Sequence, residues 1–288
     1  MNKYKKPILF LLIAANIATW SFVYAHKPHE FMTVAFLDIG QGDAIFIEAP
    51  NGVQMLIDTS PGEIVVRKLS EMLPYFDRSI DIVLTTHPDL DHIGGLPSIL
   101  DRYMVGQYIF YDNSPTSDII ETITEKIADK KVPTGHVLAG DRIVLDVARN
   151  IYLDVLWPTP AFKTTEKNDL SIILKLTYGE QDFILTGDAS LKIENMLLSE
   201  YGSYDDGKYL QSEVLKLGHH GSKTSSFELF LRKVAPDFAV ISAGLDNKFK
   251  HPSVDVVARL EKLQLESLRT MGTGPVIFKT DGKSLWRD

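Results

Sequence analysis

The apolar and polar residues of this chain follow two alternating periods. Short apolar or alternating runs predict strands at residues 32–38, 44–48, 53–58, 80–86, 107–111, 142–147, 150–156, 170–177, 181–186, 213–217, 237–242 and 275–279. Apolar residues three or four apart predict helices at 63–73, 93–103, 117–130, 189–200, 225–234 and 253–263. Because the strands and helices interleave without a low-complexity linker, the pattern predicts one α/β domain with mixed sheets over residues 31–288.

The first 25 residues depart from this pattern. Three lysines within the first six residues precede an uncharged, largely apolar run from Pro7 to Ala25. A basic stub, an apolar stretch and a small-residue cleavage site are typical of a signal peptide. The run is also nearly long enough for a membrane anchor, which needs about 20 residues. We expect a signal peptide or an N-terminal membrane anchor, with the rest of the chain extracytoplasmic; the alternative is a helix buried in the globular domain.

Composition and charge narrow the range of functions. The 288 residues are 44% hydrophobic and 24% charged, as in ordinary globular proteins. The chain has no cysteine, which excludes disulfides and thiolate-bound metals. Its formal net charge is −8, and loss of the N-terminal lysines would make it more negative. Such a surface is unfavourable for wrapping nucleic acid, so metal ions or a few lysines would have to hold any phosphate substrate.

The densest group of chemically active side chains lies in LTTHPDLDHIGG, residues 84–95. In the extended chain that leaves a strand, His87, Asp89 and Asp91 point to the same side, and His92 follows where the next helix begins. Imidazole nitrogen together with carboxylate oxygen suits zinc, manganese or iron. Four such groups in six residues predict a metal site; a solvated polar loop with an Asp helix cap is the alternative.

Two later stretches share the same design. FILTGDAS (183–190) places Asp188 directly after an apolar strand, and VLKLGHHGSKTS (214–225) places His219 and His220 after another. Taken alone, Asp188 could be a helix cap and the two histidines an exposed loop. Because all three stretches run from an apolar strand to an acid or a histidine and then to a loop, we expect them to converge on one site.

Further polar residues near these stretches are candidates for contact with a substrate. His251 is a candidate proton donor to the leaving group or a phosphate ligand. Asp43 is expected in a loop that faces the metals. Candidates for phosphate contact are Lys216, Ser222, Lys223, Thr224, Ser225, Lys248 and Lys250. The alternatives are a solvated face for the lysines and helix capping for the hydroxyl groups.

Six segments carry a resemblance to a known family. They are FLDIGQGDAIFI (36–47), LIDTS (56–60), THPDLDHIGG (86–95), NDLSIILKL (168–176), LTGDAS (185–190) and LKLGHHGS (215–222). Their order resembles the metallo-β-lactamase-fold hydrolases, and among them the soluble hydrolase domain of the ComEC/Rec2 competence proteins and its stand-alone relatives. The resemblance covers about residues 31–280. It implies an αββα sandwich of two mixed β-sheets flanked by helices, and hydrolysis, in the competence proteins of DNA phosphodiesters.

The resemblance also implies roles for single residues. His87 and Asp89 would hold one metal, Asp91 and His92 a second, and Asp188 would bridge the two. The second site would be completed by His219, with His220 as the alternative. Asp58, at the end of an early strand, would brace the site from behind the ligands.

The chain departs from the broader superfamily at two positions. Asp89 stands where most members have a histidine, and KNDLS replaces the third histidine of the first site. Asn168 or Asp169 is a weak replacement there, and Asn168 is also a candidate substrate contact. Both departures occur in the competence branch. They favour manganese or magnesium over zinc, with one or two ions bound.

The combined expectation is an exported metal-dependent hydrolase. It would be a phosphodiesterase or DNA nuclease linked to DNA uptake, using metal-bound hydroxide, with Asp91, Asp188 and His251 in the reaction. Its expected partners are a phosphodiester such as DNA, the membrane if the N-terminal segment is retained, and a separate membrane channel. The alternatives are hydrolysis of a lactone or of a small or cell-envelope phosphoester, and a non-catalytic exported binding module.

Overall fold

The computed structural model describes residues 4–25, 30–111 and 117–288; Lys3, one of the three N-terminal lysines, lies outside the described residues. The helices are α1 (Lys5–Ala25), α2 (Ile64–Met72), α3 (Leu90–Ile93), α4 (Leu96–Arg102), α5 (Asp118–Lys130), α6 (Leu191–Tyr201), α7 (Glu228–Val234) and α8 (Val254–Leu263). The strands are β1 (Met32–Phe36), β2 (Ile45–Glu48), β3 (Gln54–Ile57), β4 (Ser79–Leu84), β5 (Met104–Phe110), β6 (Thr134–His136), β7 (Arg142–Asp146), β8 (Ile151–Trp157), β9 (Ile173–Tyr178), β10 (Gln181–Leu185), β11 (Val214–Lys216), β12 (Phe238–Ile241), β13 (Glu266–Arg269), β14 (Val276–Thr280) and β15 (Leu285–Arg287).

The strands form two mixed sheets. The first has the order β15-β14-β1-β2-β3-β4-β5-β6, with parallel pairing from β3 to β6. The second has the order β13-β12-β11-β10-β9-β8-β7, with parallel pairing from β10 to β13. The remaining pairs within each sheet are antiparallel.

Three apolar layers hold the two sheets and the helices together. Alternate residues of both sheets meet in the middle layer, which includes Phe36, Leu84, Leu174, Phe183 and Val240. The opposite face of the first sheet packs on α2, α4 and α5 through Val65, Leu69, Leu96, Ile99 and Ile123. The opposite face of the second sheet packs on α6, α7 and α8 through Ile193, Leu197, Phe230, Leu231, Val256 and Leu260. The predicted αββα sandwich is therefore confirmed.

The elements differ from the sequence-based prediction in two respects. The helix predicted at 93–103 corresponds to α4, and a separate short helix, α3, precedes it across Gly94-Gly95. A Cβ atom at Gly95 would lie 2.0 Å from the carbonyl oxygen of Thr59, so the close approach of that loop requires glycine here. Strands β6, β13 and β15 were not predicted, because they are short strands of three or four residues without a continuous apolar run.

The N-terminal helix α1 is not part of the sandwich core. Among its described side chains, Ile8, Phe10 and Trp20 are more than half exposed. The alternative of a helix buried in the globular domain is therefore wrong. No helix within residues 4–25, 30–111 and 117–288 is both long enough and apolar enough to cross a membrane. The predicted export of the chain stays a prediction.

Candidate metal centre

The candidate ligands lie where the parallel strands of both sheets end. His87 follows β4 of the first sheet, Asp188 follows β10 of the second, and the His219-His220 pair follows β11. The carboxyl ends of parallel strands share one edge of a sheet, where α/β proteins place their binding sites. The two sheets present these ends to each other, so three segments that are distant in sequence meet in one place.

Several buried polar atoms at this place have no hydrogen-bond partner among the described residues. They include Nε2 of His87, Nε2 of His92, Nε2 of His220, Oδ1 of Asp188 and both carboxylate oxygens of Asp43. His92 Nε2 lies 3.3 Å from Asp188 Oδ1, and His220 Nε2 lies 3.5 Å from Asp188 Oδ2. Four ligand groups, each with atoms within 4.8 Å of one another, include these residues: His87-His92-Asp188, Asp91-His92-His220, Asp43-Asp188-His220 and Asp43-Asp58-His92. Buried nitrogen and oxygen atoms that converge without partners fit a divalent cation.

The opposite nitrogen of each buried imidazole is fixed by a partner. His92 Nδ1 lies 2.7 Å from Oδ2 of Asp58, and His220 Nδ1 lies 2.9 Å from the carbonyl oxygen of Ser242. His87 Nδ1 lies 3.0 Å from the hydroxyl of Thr86. Donation from Nδ1 to an acceptor leaves the Nε2 lone pair directed at the cluster, as in metal-binding histidines. Asp58 therefore occupies the bracing position that the resemblance implies.

The pKa values reflect dense opposite charge. Burial alone would raise the pKa of Asp188, but His220 and His92 hold it well below its usual range. Burial would lower the pKa of His220, but Asp188 and Asp43 raise it to about 9. Burial, reinforced by His92, lowers the pKa of His87 to about 3. The cluster thus keeps its carboxylate ionised inside the protein, where an uncompensated charge is costly.

Below the imidazoles lies a buried ion pair between Asp43 and Lys216. Lys216 is fully buried, contacts the Asp43 carboxylate and donates to the carbonyl oxygen of Gly187 at 3.1 Å. Asp43 is 1% exposed and follows Gly42, where a Cβ atom would lie 2.2 Å from the carbonyl oxygen of Asp91. The predictions of Asp43 as a substrate contact and of Lys216 as a surface phosphate ligand are wrong, because neither side chain reaches solvent.

The remaining predicted ligands lie at the open side. Asp91 Oδ2 is 3.4 Å from His220 Nε2, and Asp89 Oδ2 is 3.7 Å from His87 Nε2. Both carboxylates are about one-third exposed. Asp89 also forms an ion pair with Lys167 at 3.0 Å, and it is absent from the ligand groups found among the described residues. Asp91 thus faces the cluster more directly than Asp89.

The two histidines of the second site differ in depth. His220 is 1% exposed and belongs to two of the ligand groups. His219 is partly exposed, and its Nε2 lies 3.8 Å from Asp188 Oδ2. Both residues have a left-handed backbone, with φ of 48° and 55°, a conformation that costs non-glycine residues energy and clusters at functional sites. The geometry favours His220, so the expected preference for His219 is reversed.

The two residues that stand in place of the missing third histidine point in different directions relative to the cluster. The side-chain nitrogen of Asn168 lies 3.2 Å from Nδ1 of His219, at the rim. Asp169 accepts hydrogen bonds from Ser190 at 2.5 Å and Lys192 at 3.0 Å, which turns it toward α6 and away from the cluster. Asn168 therefore remains a candidate at the site and Asp169 does not.

The predicted substrate contacts lie around the His-His turn. His251 is partly buried, with its ring 5.6 Å from that of His219. Ser222 is buried and shares a 3.0 Å hydrogen bond with Thr224, while Lys223 is exposed. Ser225 donates to the carbonyl oxygens of Gly218 and Ser222, so it stabilises the turn and not a ligand. His251 and Lys223 have the exposure that substrate contact requires.

Sequence reasoning missed the supporting groups. Thr86, Ser242 and Lys167 hold His87, His220 and Asp89, respectively. The buried position of Lys216 had a signal in the sequence. In VLKLG it has the same strand parity as Val214, which packs between the sheets, so its side chain had to point inward.

Comparison with known proteins identifies the class. The family described as "Metallo-beta-lactamase superfamily" matches residues 37–244, and the chain belongs to this superfamily. Its relatives include "ComE operon protein 3" of Bacillus subtilis, 28% identical over 269 residues, which cover 85% of this chain and 33% of the relative. They also include "Recombination protein 2" of Haemophilus influenzae, 31% identical over 250 residues, covering 83% of this chain and 28% of that protein. The chain thus spans about a third of the length of these relatives.

Solved structures agree on the fold. The metallo-beta-lactamase fold protein YhfI from Bacillus subtilis aligns with a TM-score of 0.57 at 11% identity, over 86% of this chain and all of that one. CmlA, a diiron beta-hydroxylase from Streptomyces venezuelae, aligns with a TM-score of 0.57 at 12% identity, over 88% of this chain and 55% of that one. At such identities the likeness establishes the fold alone.

Proposed function

We propose that this protein is a metal-dependent phosphodiesterase that cleaves DNA outside the cytoplasm. The observation that carries the metal dependence is the convergence of three imidazole nitrogens and one Asp188 carboxylate oxygen that have no hydrogen-bond partner within the described ranges. The support for DNA as the substrate is the likeness to ComE operon protein 3 and to Recombination protein 2. A hydrolase of the metallo-beta-lactamase superfamily is the broader class within which this proposal lies.

In this proposal the chain's own residues hold and orient the reacting groups. His87, His92, Asp188 and His220 are the metal ligands, with Asp91 and Asp89 at the open side, for one or two ions of Mn²⁺, Mg²⁺ or Zn²⁺. A bound divalent cation lowers the pKa of water and polarises a phosphoryl oxygen. Asp58 fixes His92, and Lys167 fixes Asp89. His251 and Asn168 border the open side, where they contact the phosphodiester.

A second candidate function has its own observation. An apolar cavity of about 320 Å³ lies beside His87 and Pro88, lined by Tyr108, Phe110, Ile120, Ile123 and Ile127 among others. A cavity of this kind accommodates the apolar part of a small substrate. Hydrolysis of a lactone or another ester with an apolar group is therefore the alternative to DNA cleavage.

The test is cleavage of single- and double-stranded DNA by the full chain in detergent, with Mn²⁺, Mg²⁺ or Zn²⁺ added. An Asp91→Asn variant removes a charge at the open side of the centre, and Asp101→Asn removes one from an exposed helix position as the matched control. We expect metal-dependent cleavage that Asp91→Asn abolishes and Asp101→Asn preserves. Metal-loaded protein that cleaves neither DNA but hydrolyses a lactone would replace this proposal with the alternative.

The proposal includes export and a role in DNA uptake with a separate membrane channel. Its support is the basic and apolar pattern of residues 1–25 and the names of the competence relatives. Export is tested by the location of the protein in fractionated cells, and cleavage of residues 1–25 by the intact mass of the purified chain. A full-length chain confined to the cytoplasm would exclude both export and uptake.

A further inference from the structure

The segment Gly244–Pro252, here called the 244–252 loop, extends an aromatic row outward from the metal centre. The ring of His251 lies 5.6 Å from that of His219, and the ring of Phe249 lies 5.9 Å from that of His251. The planes of Phe249 and His251 are nearly parallel, at 14°. Phe249 is 53% exposed, so one face of its ring is accessible beside a polar site.

Internal hydrogen bonds hold this loop in shape. The side-chain amide of Asn247 donates to the carbonyl oxygens of Gly244 at 2.9 Å and of His251 at 2.7 Å. The backbone N–H of His251 donates back to the Asn247 side-chain oxygen at 2.9 Å. The exposed position of Phe249 is therefore fixed by the loop itself, and a ligand that stacks on the ring meets a surface that is already ordered.

Cationic side chains lie at the exposed ring and around a cavity beside the same loop. Lys248 Nζ lies 4.9 Å from the centroid of the Phe249 ring. A cavity of about 330 Å³ beside the loop is lined by Lys250, His251 and Arg269, together with Asp246. The chain as a whole carries a net charge of −8, so the positive charges of Lys248, Lys250 and Arg269 are a local exception. A planar apolar surface next to cations matches the two parts of a nucleotide, its base and its phosphate.

We propose that the 244–252 loop binds single-stranded DNA, with one base stacked on Phe249 and a neighbouring phosphate held by Lys250 and Arg269. The base takes the face of the ring that Lys248 covers, and the Lys248 ammonium moves to a phosphate. The strand then passes His251 to the metal centre. In a duplex the bases already stack on one another, so the loop favours single strands. This inference rests on the proposed DNA cleavage and adds the form of DNA that the site accepts.

The test measures binding of labelled single-stranded oligothymidine and of a duplex to the full chain in detergent with EDTA, so that no cleavage interferes. Phe249→Leu keeps an apolar side chain and removes the aromatic face. We expect it to weaken oligothymidine binding between about fivefold and a hundredfold, the effect of losing one base stack, while Phe249→Trp preserves binding. Lys250→Gln should reduce the slope of log affinity against log salt by about 0.7, the value for one phosphate of a single strand.

Phe76→Leu is the matched control. Phe76 is also exposed, but it precedes β4, whose opposite end delivers His87, so about 20 Å of strand separates it from the centre. Equal oligothymidine binding by wild type and Phe249→Leu would overturn the inference, even if wild type cleaves DNA. If Phe249→Leu weakens binding to vesicles of anionic lipid and not to oligothymidine, the loop is a membrane contact and the inference fails. A wild type that neither binds nor cleaves DNA removes the proposed function as well.

Discussion

Two buried carboxylates, Asp188 and Glu194, lie six residues apart and differ in the groups that surround their oxygens. Asp188 is 3% exposed, and its Oδ1 has no hydrogen-bond partner in the described part of the chain. Glu194 is 1% exposed, and its two oxygens accept the backbone N–H groups of Ser226 at 2.6 Å and Phe227 at 3.1 Å. One carboxylate faces three imidazoles; the other ties α6 to the loop that precedes α7.

The difference shows that burial of an acid does not by itself indicate a functional site. Burial pushes the pKa of both groups upward. For Glu194 burial prevails and raises the pKa to about 7, although the two N–H groups oppose it. For Asp188 the imidazoles prevail, and the pKa stays well below its usual range. Unpartnered atoms that converge, and not buried charge alone, separate the ligand from the structural group.

The largest expected effect is that of Asp188→Asn on metal binding and catalysis. The proposed function makes Asp188 a direct ligand, so its loss should lower Mn²⁺ affinity by at least about a hundredfold, since even the groups behind the ligands are worth 10- to 100-fold. Metal-dependent cleavage should fall by about a thousandfold or more, because the ion supplies several kcal/mol of catalysis. Calorimetric titration with Mn²⁺ and initial cleavage rates measure the two quantities.

Glu194→Gln is the control for that comparison. It replaces a buried acid of the same neighbourhood by a neutral side chain of the same shape and leaves the cluster untouched, so Mn²⁺ affinity should remain that of wild type. An Asp188→Asn protein that binds Mn²⁺ normally, or a Glu194→Gln protein that no longer binds Mn²⁺, would contradict the different roles assigned to the two acids.

Glu194→Leu should have the largest effect on folding. The apolar side chain leaves the N–H groups of Ser226 and Phe227 buried without an acceptor, each at a cost of about 1–3 kcal/mol. We expect the free energy of unfolding to fall by about 4 kcal/mol, measured by denaturant titration in EDTA. Asp188→Asn under the same conditions leaves no such pair of donors, so a loss of equal size in that variant would contradict the assignment.

The pH dependence of folding should carry the signature of Glu194. Its pKa rises from the usual 4.5 to about 7 on folding, so between these values the folded chain keeps a proton that the unfolded chain has lost. Stability from this group is therefore present below pH 4.5 and decreases as the pH rises to about 7, by about 3 kcal/mol in total. The pKa of His87 falls from 6.5 to about 3 on folding, so His87 also makes stability depend on pH over part of this window. The quantity to measure is therefore the difference between wild type and Glu194→Gln in EDTA. A difference that stays constant from pH 4.5 to 7 would contradict the raised pKa.

The sequence predicted where the candidate ligands meet better than it predicted how deeply each side chain is buried. Strand-end histidines and acids gave His87, His92 and Asp188, because a strand that ends in a loop delivers its side chains to a sheet edge. The choice between His219 and His220 depended on two left-handed residues in succession, a backbone path that no residue pattern encodes. The lysine of β11 was placed on the surface because its charge was weighed before its strand parity.

The secondary-structure elements were likewise predicted only in part. Long runs with a clear period, such as α5 and β8, were predicted within a few residues. The break between α3 and α4 was missed because it depends on contact between Gly95 and the distant residue Thr59. Edge strands such as β13 were missed because their side chains are partly exposed and form no apolar run. Such strands depend on pairing with the neighbouring strand more than on their own residue pattern. The αββα arrangement itself came from the resemblance, since the period of single elements does not determine how two sheets stack.

A third buried acid, Asp58, sharpens the comparison and has the smallest expected effect. Like Glu194, it has its oxygens occupied, by the backbone N–H and the hydroxyl of Thr86, each at 2.7 Å; like Asp188, it touches the cluster, through Nδ1 of His92 at 2.7 Å. Asp58→Asn replaces one acceptor by an N–H₂ donor, so the amide cannot serve both Thr86 and His92. The His92 ring then loses its fixed tautomer, and Mn²⁺ affinity should fall 10- to 100-fold, or about 1.4–2.7 kcal/mol. Calorimetric titration with Mn²⁺ of Asp58→Asn and Glu194→Gln tests this prediction. If both variants keep wild-type Mn²⁺ affinity, an acid whose oxygens already accept hydrogen bonds is structural even when it contacts His92.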